Sequence, residues 1–205
     1  MAHVSAAGSV DALRAARARG DAATGETAPH YLALTDDAVG AYDSNAKMNP
    51  PLRAAQDREA VIQGLADGTL GVIATDHAPH TPFEKSGEFE AAPFGVVGLE
   101  TALGVVLTHL VHAGRLTLVD AVRALTTAPR ALLGLPDPLA PGAEADLVVF
   151  APELPWTVDA ARFRSKGRNT PFAGHRLTGA VLGTWVAGRR VYQSELGRAR
   201  EGAAR

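Results

Sequence analysis

Apolar and polar positions along this chain follow two different periods. From Ser9 to Gly20, "SVDALRAARARG" sets Val10, Leu13 and Ala16 at helical spacing, opens on a residue able to cap and closes on a glycine suited to the position past a helix end. The same spacing predicts a second helix from about Ala54 to Leu65, stopped by Gly68. A third runs from about Leu99 to His112 with Leu99, Leu103, Val106 and Leu110 on one face, the first three expected in the core. Thr117 can cap a fourth. Between the first two helices, "AATGETAPHYLALT" reads as a short extended stretch and then a loop. After the second comes "LGVIATDHAPH", Leu70 to His80, whose apolar run reads as a strand buried on both faces and stops at Asp76, with His77 and His80 just beyond. Helix, strand, helix, strand, helix is the alternation of a parallel sheet, and the chemistry of such proteins collects where the strands end.

From about Leu135 the texture changes. "LPDPLAPGAEADLVVFAPELPW" is rich in proline, and "ADLVVF" and "GAVLGTWVAGRRVYQ" read as strands with glycine turns rather than another βα unit. The expected organisation is an α/β portion over 1–135, a small β element over 136–195 and a polar, frayed tail over 196–205. There is no internal repeat.

Composition narrows the function classes. The 205 residues are 46% hydrophobic and 20% charged, the make-up of a soluble globular protein with a sizeable core. A formal net charge of −2, with no run of basic residues interleaved with aromatics, argues against nucleic acid as a partner. No apolar stretch reaches the roughly 18 residues of a membrane span and the first residues lack the order of a signal peptide, so a cytoplasmic location is expected. Zero cysteines exclude disulfides and thiolate metal sites, so any metal must be held by histidine and carboxylate, ligands that suit catalytic zinc. His3 sits where a strand should end and a loop into the first helix should begin, with almost no strand before it. A (β/α)8 barrel takes about 250 residues, and the portion before Leu135 supplies only two or three βα units; a part of a larger barrel is expected.

Six motifs, "HVSAAGSV", "ETAPHYLALTDD", "NAKMNPPLR", "IATDHAPHTPFEK", "EAAPFGVVGLETAL" and "KGRNTPFAGHRLTGAVLGTWVAGRRVY", stand in an order and at separations that resemble the C-terminal half of the bacterial type I dihydroorotases of the amidohydrolase superfamily. The resemblance runs from His3 to about Tyr192. It implies an α/β fold made of the last strands and helices of a (β/α)8 TIM-type barrel plus C-terminal strands of a small composite β-sandwich. It also implies a zinc-dependent, reversible cyclisation of N-carbamoyl-L-aspartate to dihydroorotate in pyrimidine synthesis, at a binuclear zinc centre.

Residue by residue, Asp76 matches the aspartate that binds metal and carries the proton between the attacking water and the ring nitrogen, a task needing a carboxylate held low by the cation so that it starts as a base. His3 matches a histidine that ligates the second zinc. Asn49 and His80 match residues that hold the substrate carboxylate and ring amide, and the prolines beside them fix the backbone that aims them. The backbone of Phe94 and Gly95 would approach the ring, since glycine permits close contact. "HTPFEKSGEFEA", His80 to Ala91, falls where the family has a mobile loop over the site. His77 is expected to point away from the site and make a supporting hydrogen bond, the resemblance gives His30 no ligand role, and His109 and His112 read as ordinary helix-face residues.

The family's first-strand histidine pair, its arginine for the substrate carboxylate, its bridging carboxylate and its fifth-strand histidine all belong upstream of His3. With only His3 and Asp76, tight zinc binding and activity of the isolated chain are not expected, and a sheet cut after two or three strands leaves an apolar edge prone to association. Expected partners are the small-molecule substrate and, beyond it, further copies of the chain or aspartate transcarbamoylase, with no membrane. Two other readings are a different cyclic amidohydrolase, such as an allantoinase or hydantoinase, and a non-catalytic dihydroorotase-like companion of aspartate transcarbamoylase.

Overall fold

The computed structural model describes residues 1–136, 139–195 and 197. In chain order the helices and strands are α1 (Ala7–Ala18), β1 (Glu26–Thr27), α2 (Pro29–Ala33), α3 (Ala55–Ala66), β2 (Val72–Ile73), α4 (Pro82–Lys85), α5 (Ala102–Val106), α6 (Leu118–Leu125), α7 (Thr127–Leu132), β3 (Leu147–Thr157), β4 (Arg176–Val186) and β5 (Arg189–Gln193). The result is an α/β mixture, helices and a parallel strand pair first, an antiparallel sheet last.

α1 buries Val10 and Leu13, as their spacing requires, and ends before Gly20, which takes φ 85°. Its start differs from expectation. The capping position is Ala6 rather than Ser9, and the free N–H of Ala7 donates to Asp57 Oδ1 at 2.8 Å, so the cap comes from α3, a tertiary contact that local sequence does not carry. α3 turns Val61, Ile62 and Leu65 inward and stops at Gly68 with φ 78°. Thr117 caps α6 by accepting from Asp120 N at 3.1 Å.

The third predicted helix is shorter than its apolar pattern. α5 begins at Ala102 and passes into a π-helical turn, Leu107–Val111, with Val106 and Leu110 fully buried and Leu103 partly so. Leu99 is a correction: it is 59% exposed, not core. The reason is a contact from outside the segment: the N–H groups of Gly98 and Leu99 both point at His77 Nδ1, at 3.1 and 3.4 Å, and hold the chain in a turn until residue 102.

β1 and β2 pair in parallel, Glu26 opposite Val72 and Thr27 opposite Ile73. Residues 1–4 lie along the other side of β1, where Glu26 N donates to Met1 O and Val4 N to Glu26 O. The stretch after β1, expected as a loop, is the five-residue helix α2, buried throughout. A core of Val4, Val10, Leu13, Leu32, Val61, Leu65, Leu70, Ile73, Val106 and Leu110 joins these strands to α1, α3 and α5.

The C-terminal strands form an antiparallel sheet in the order β3, β4, β5. β4 and β5 are joined by Ala187 and Gly188, both at positive φ, 51° and 71°, the backbone that a two-residue hairpin demands. The sheet docks through Phe163, Phe172 and Leu177 on Val97 and Val105, and Gly179, at φ 99°, lets β4 approach so closely that a Cβ there would meet Leu107 Cδ1 at 2.3 Å. Val148, Val149, Val186 and Val191 of this sheet stay about half exposed. The expected tail over 196–205 lies outside the described residues apart from Gly197. Among the described residues no helix is long and apolar enough to cross a membrane.

Candidate active site

His3 and Asp76 meet at the ends of the two segments that flank β1, one just before Val4 leads into α1 and one just after β2. Both hold left-handed backbones, φ 52° and 48°, and they are two of only four non-glycine residues at positive φ among the described residues. Such a conformation costs about 1–3 kcal/mol per residue and persists where the surroundings impose it. The strain aims two side chains at each other: His3 Nε2 lies 3.6 Å from Asp76 Oδ1. On its other face, His3 Nδ1 lies 3.1 Å from Glu26 Oε1 without the alignment of a hydrogen bond.

His30, at the start of α2, completes this corner. It is 2% exposed, its ring stands edge-on to Tyr31 at 4.2 Å, and among the described residues its Nε2 has no hydrogen-bond partner while lying 3.8 Å from Asp76 Oδ2. Burial, helped by the neighbouring His3, pulls its pKa down to about 3, so it is a neutral imidazole. Burial also raises the Tyr31 hydroxyl, with Asp76 adding to the effect. Asp76 itself is raised by burial, a push that Glu26 reinforces and His3 opposes. The depression expected of Asp76 was to come from a bound cation, which would have to overcome burial and Glu26 together.

Could this corner hold a metal? Two ligand atoms each about 2.0–2.1 Å from a tetrahedral ion stand about 3.4 Å apart, close to the observed 3.6 Å, and imidazole with carboxylate is a zinc donor pair. Yet no group of three or more acidic, histidine or cysteine residues is placed to hold an ion among the described residues. The pair fits as one side of a site, not as a whole one.

A second group forms around Asn169, which is 4% exposed. Its Nδ2 donates to Ala78 O and Gly95 O, both at 3.0 Å, and its Oδ1 accepts from His80 N at 2.8 Å. His80 Nε2 then bonds Phe94 O at 2.9 Å. His80, Phe94 and Gly95 are thus brought together, and Gly95, at φ 118°, sits where a Cβ would be 2.4 Å from Ala78 Cβ. Asn49 joins neither group directly: its side chain is exposed and without a hydrogen bond among the described residues. It is held from both sides, by Gly95 N donating to Lys47 O at 2.9 Å and by Tyr31 Oη donating to Pro50 O at 2.6 Å. His77 turns from the corner, accepting from Gly98 N and facing Ser165 Oγ at 3.4 Å, while that hydroxyl donates to Glu100 Oε1 at 2.7 Å. Two cavities, of about 380 Å3 at Phe150–Leu154 and about 330 Å3 between α3 and α6, are lined by none of the candidate residues.

Sequence reasoning missed Glu26, His30's place beside Asp76, and Asn169. Glu26 carried a signal, a carboxylate in an otherwise uncharged strand next to His3. Asn169 carried none, because its partners lie 74 to 91 residues away.

The description "Amidohydrolase family" matches residues 2–191. The dihydroorotase of Pelotomaculum thermopropionicum is 56% identical over 197 residues, 96% of this chain and 46% of that protein. The dihydroorotase of Anaeromyxobacter sp. strain K is 56% identical over 94% of this chain and 45% of its own length. The chain therefore spans about half the length of the curated relatives it matches. Among solved structures, the L-hydantoinase (dihydropyrimidinase) of Arthrobacter aurescens superposes with a TM-score of 0.88 at 31% identity, over 94% of this chain and 44% of that one. The dihydropyrimidinase of Brevibacillus agri superposes at 0.87 with 26% identity over the same shares.

Proposed function

Because the chain belongs to the amidohydrolase family, we propose that it carries part of the active site of a dihydroorotase, which opens dihydroorotate to N-carbamoyl-L-aspartate and closes it again. The observation that carries the reading is the His3–Asp76 pair, strained into left-handed backbones and 3.6 Å apart at the strand ends. Identity favours dihydroorotate over hydantoins: the curated dihydroorotases match at 50–56%, whereas the hydantoinase and dihydropyrimidinase structures match at 25–31%. In this reading 1–135 is the last part of a (β/α)8 barrel and 136–195 contributes strands to a composite β-sandwich. The protein works in the cytoplasm, and the ligands that complete the centre come from outside this chain, so the chain alone is inactive.

His3 and Asp76 would hold one zinc ion, which when bound supplies a Lewis acid and makes water a nucleophile at neutral pH. Asp76 is placed to do the proton work. As water attacks the ring carbonyl and the carbon–nitrogen bond breaks, its carboxylate takes the water proton and delivers it to the departing nitrogen; closure runs the same steps backwards. Asn49 and His80 hold the substrate carboxylate and ring amide, and the Phe94–Gly95 backbone, open for want of a Cβ, lies against the ring. His30 stays neutral against Asp76 and so adds no charge that would compete for the ion.

The test is a chimera in which this chain replaces the matched segment of the Pelotomaculum thermopropionicum dihydroorotase. With zinc it should open dihydroorotate, followed by loss of the ring's ultraviolet absorbance, and Asp76→Asn should abolish that while leaving the fold intact. A folded, zinc-loaded chimera with no turnover would refute the reading.

A further inference from the structure

The segment from His80 to Ala91 was expected to be mobile, yet two buried lysines cross between the 81–95 stretch that contains most of it and the 44–47 segment. Lys47 is 8% exposed and its Nζ donates to the carbonyls of Phe89, Glu90 and Ala92 at 2.6, 2.9 and 2.7 Å, with the rings of Phe94 and Phe89 4.6 and 5.3 Å from it. Lys85, 7% exposed at the end of α4, reaches the opposite way: its Nζ donates to Ser44 O at 2.9 Å, Pro93 O at 2.8 Å and, more weakly, Lys47 O at 3.4 Å. Ser44 Oγ closes the ring by donating to Lys85 O. A loop without a ladder leaves its carbonyls unpaired, and an ammonium has three donors to offer them.

We propose that Lys47 and Lys85 are positioning residues whose crossed ammoniums make residues 81–95 a fixed wall of the site rather than a lid. Each ammonium satisfies three carbonyls, and every hydrogen bond the two make among the described residues ends on backbone. The geometry reaches the substrate wall directly, because Lys47 O also accepts from Gly95 N, Pro93 precedes Phe94, and Phe94 O is bonded by His80. Burial, with Lys47 alongside, lowers Lys85 to about 8 while Asp43 opposes the shift, so Lys85 stays mostly charged at neutral pH. Two like charges in one buried place are kept only by fixed acceptors. The importance of the wall to catalysis rests on the dihydroorotase reading; the wall itself does not.

The chain has no cysteine, so Lys47→Cys and Lys85→Cys each offer one thiol. Alkylated in the unfolded chain and refolded beside a wild-type control, an S-aminoethyl group restores the ammonium and an S-propyl group restores only the stem. Amide hydrogen exchange is then read at Ala92 and Gly95, with Ile62 in α3 as reference. The S-propyl proteins should exchange about tenfold to a hundredfold faster at Ala92 and Gly95 while Ile62 is unchanged, and the S-aminoethyl proteins should return to wild-type rates. Lys47→Met and Lys85→Met, never unfolded, should show the same local loss. Wild-type protection in the Met or S-propyl proteins, or equal rates for both alkylations, would overturn the proposal. No substrate enters this measurement, so its failure leaves the dihydroorotase reading standing, and a chimera without turnover leaves the fixed wall standing.

Discussion

Gly98→Ala is the substitution whose effect follows most directly from the packing beneath Asp76. An added Cβ at Gly98 would stand 2.4 Å from Thr75 O, 3.3 Å from its carbonyl carbon and 3.5 Å from its Cβ. Ordinary contact begins near 3.4 Å, so the two backbones must part by roughly 1 Å, and neither is free to do so. Gly98 N is tied to His77 Nδ1, and Gly98 O accepts from Ala102 N at the start of α5. Overpacking of this kind costs about 1–3 kcal/mol, and with backbone on both sides the upper end applies. At about 2–4 °C per kcal/mol for a chain of this size, Tm should fall by roughly 6–12 °C in calorimetry or a circular-dichroism melt. Gly8→Ala, within α1 and with nothing inside 4 Å of its added Cβ, is the control and should gain about 0.5–1 kcal/mol. A Gly98→Ala protein that melts within a degree of wild type would refute the close approach that holds residues 75–78 under the site.

Three further outcomes are expected. In the active chimera, Asp76→Asn keeps a residue that tolerates the left-handed backbone yet cannot take the proton, so kcat should drop by about 10²–10⁴ with KM nearly unchanged; Asn49→Ala should raise KM first. His3→Asn, equally tolerant of its φ of 52°, should lower bound zinc per protein by metal analysis, and unchanged zinc would remove His3 from the ligand set. His30 has a folded pKa of about 3 against an ordinary 6.5, so the unfolded chain takes up its proton first: the stability it contributes is complete above about pH 6.5 and is lost as pH falls toward 3. Between pH 6.5 and 4.5 that loss is about 2–3 kcal/mol. Asp76, raised instead, acts in the opposite direction, so urea unfolding of wild type against His30→Gln isolates the effect, and parallel acid limbs would contradict it.

Features written in neighbouring residues were legible in the sequence. Thr117 as a cap, the stops at Gly20 and Gly68, the parallel pairing of the strands and the late hairpin all rest on local spacing or on residues with one backbone preference. Features made by distant partners were not. The α1 cap comes from Asp57, fifty residues on, and the turn that exposes Leu99 is made by the ring of His77. His3 and Asp76 stood out as types, but nothing in "AHVS" or "ATDH" announces a left-handed backbone, because strain at those positions is imposed by the surrounding packing. The burial of Lys47 and Lys85 has no signal in the sequence, since sequence does not reveal which loop carbonyls lack partners. Asn49 and Gly95 sit 46 residues apart, and the Lys47 O to Gly95 N bond that ties the segments carrying them is a long-range contact with no local signal.

The central claim, that this chain shapes a site for dihydroorotate rather than for hydantoins, is met most directly by one ratio. The zinc-loaded chimera should show a kcat/KM for dihydroorotate at least about a hundredfold above that for hydantoin, since a site built to bond a substrate's carboxylate rejects an analogue that lacks it. A ratio near one, or a preference for hydantoin, would contradict the account.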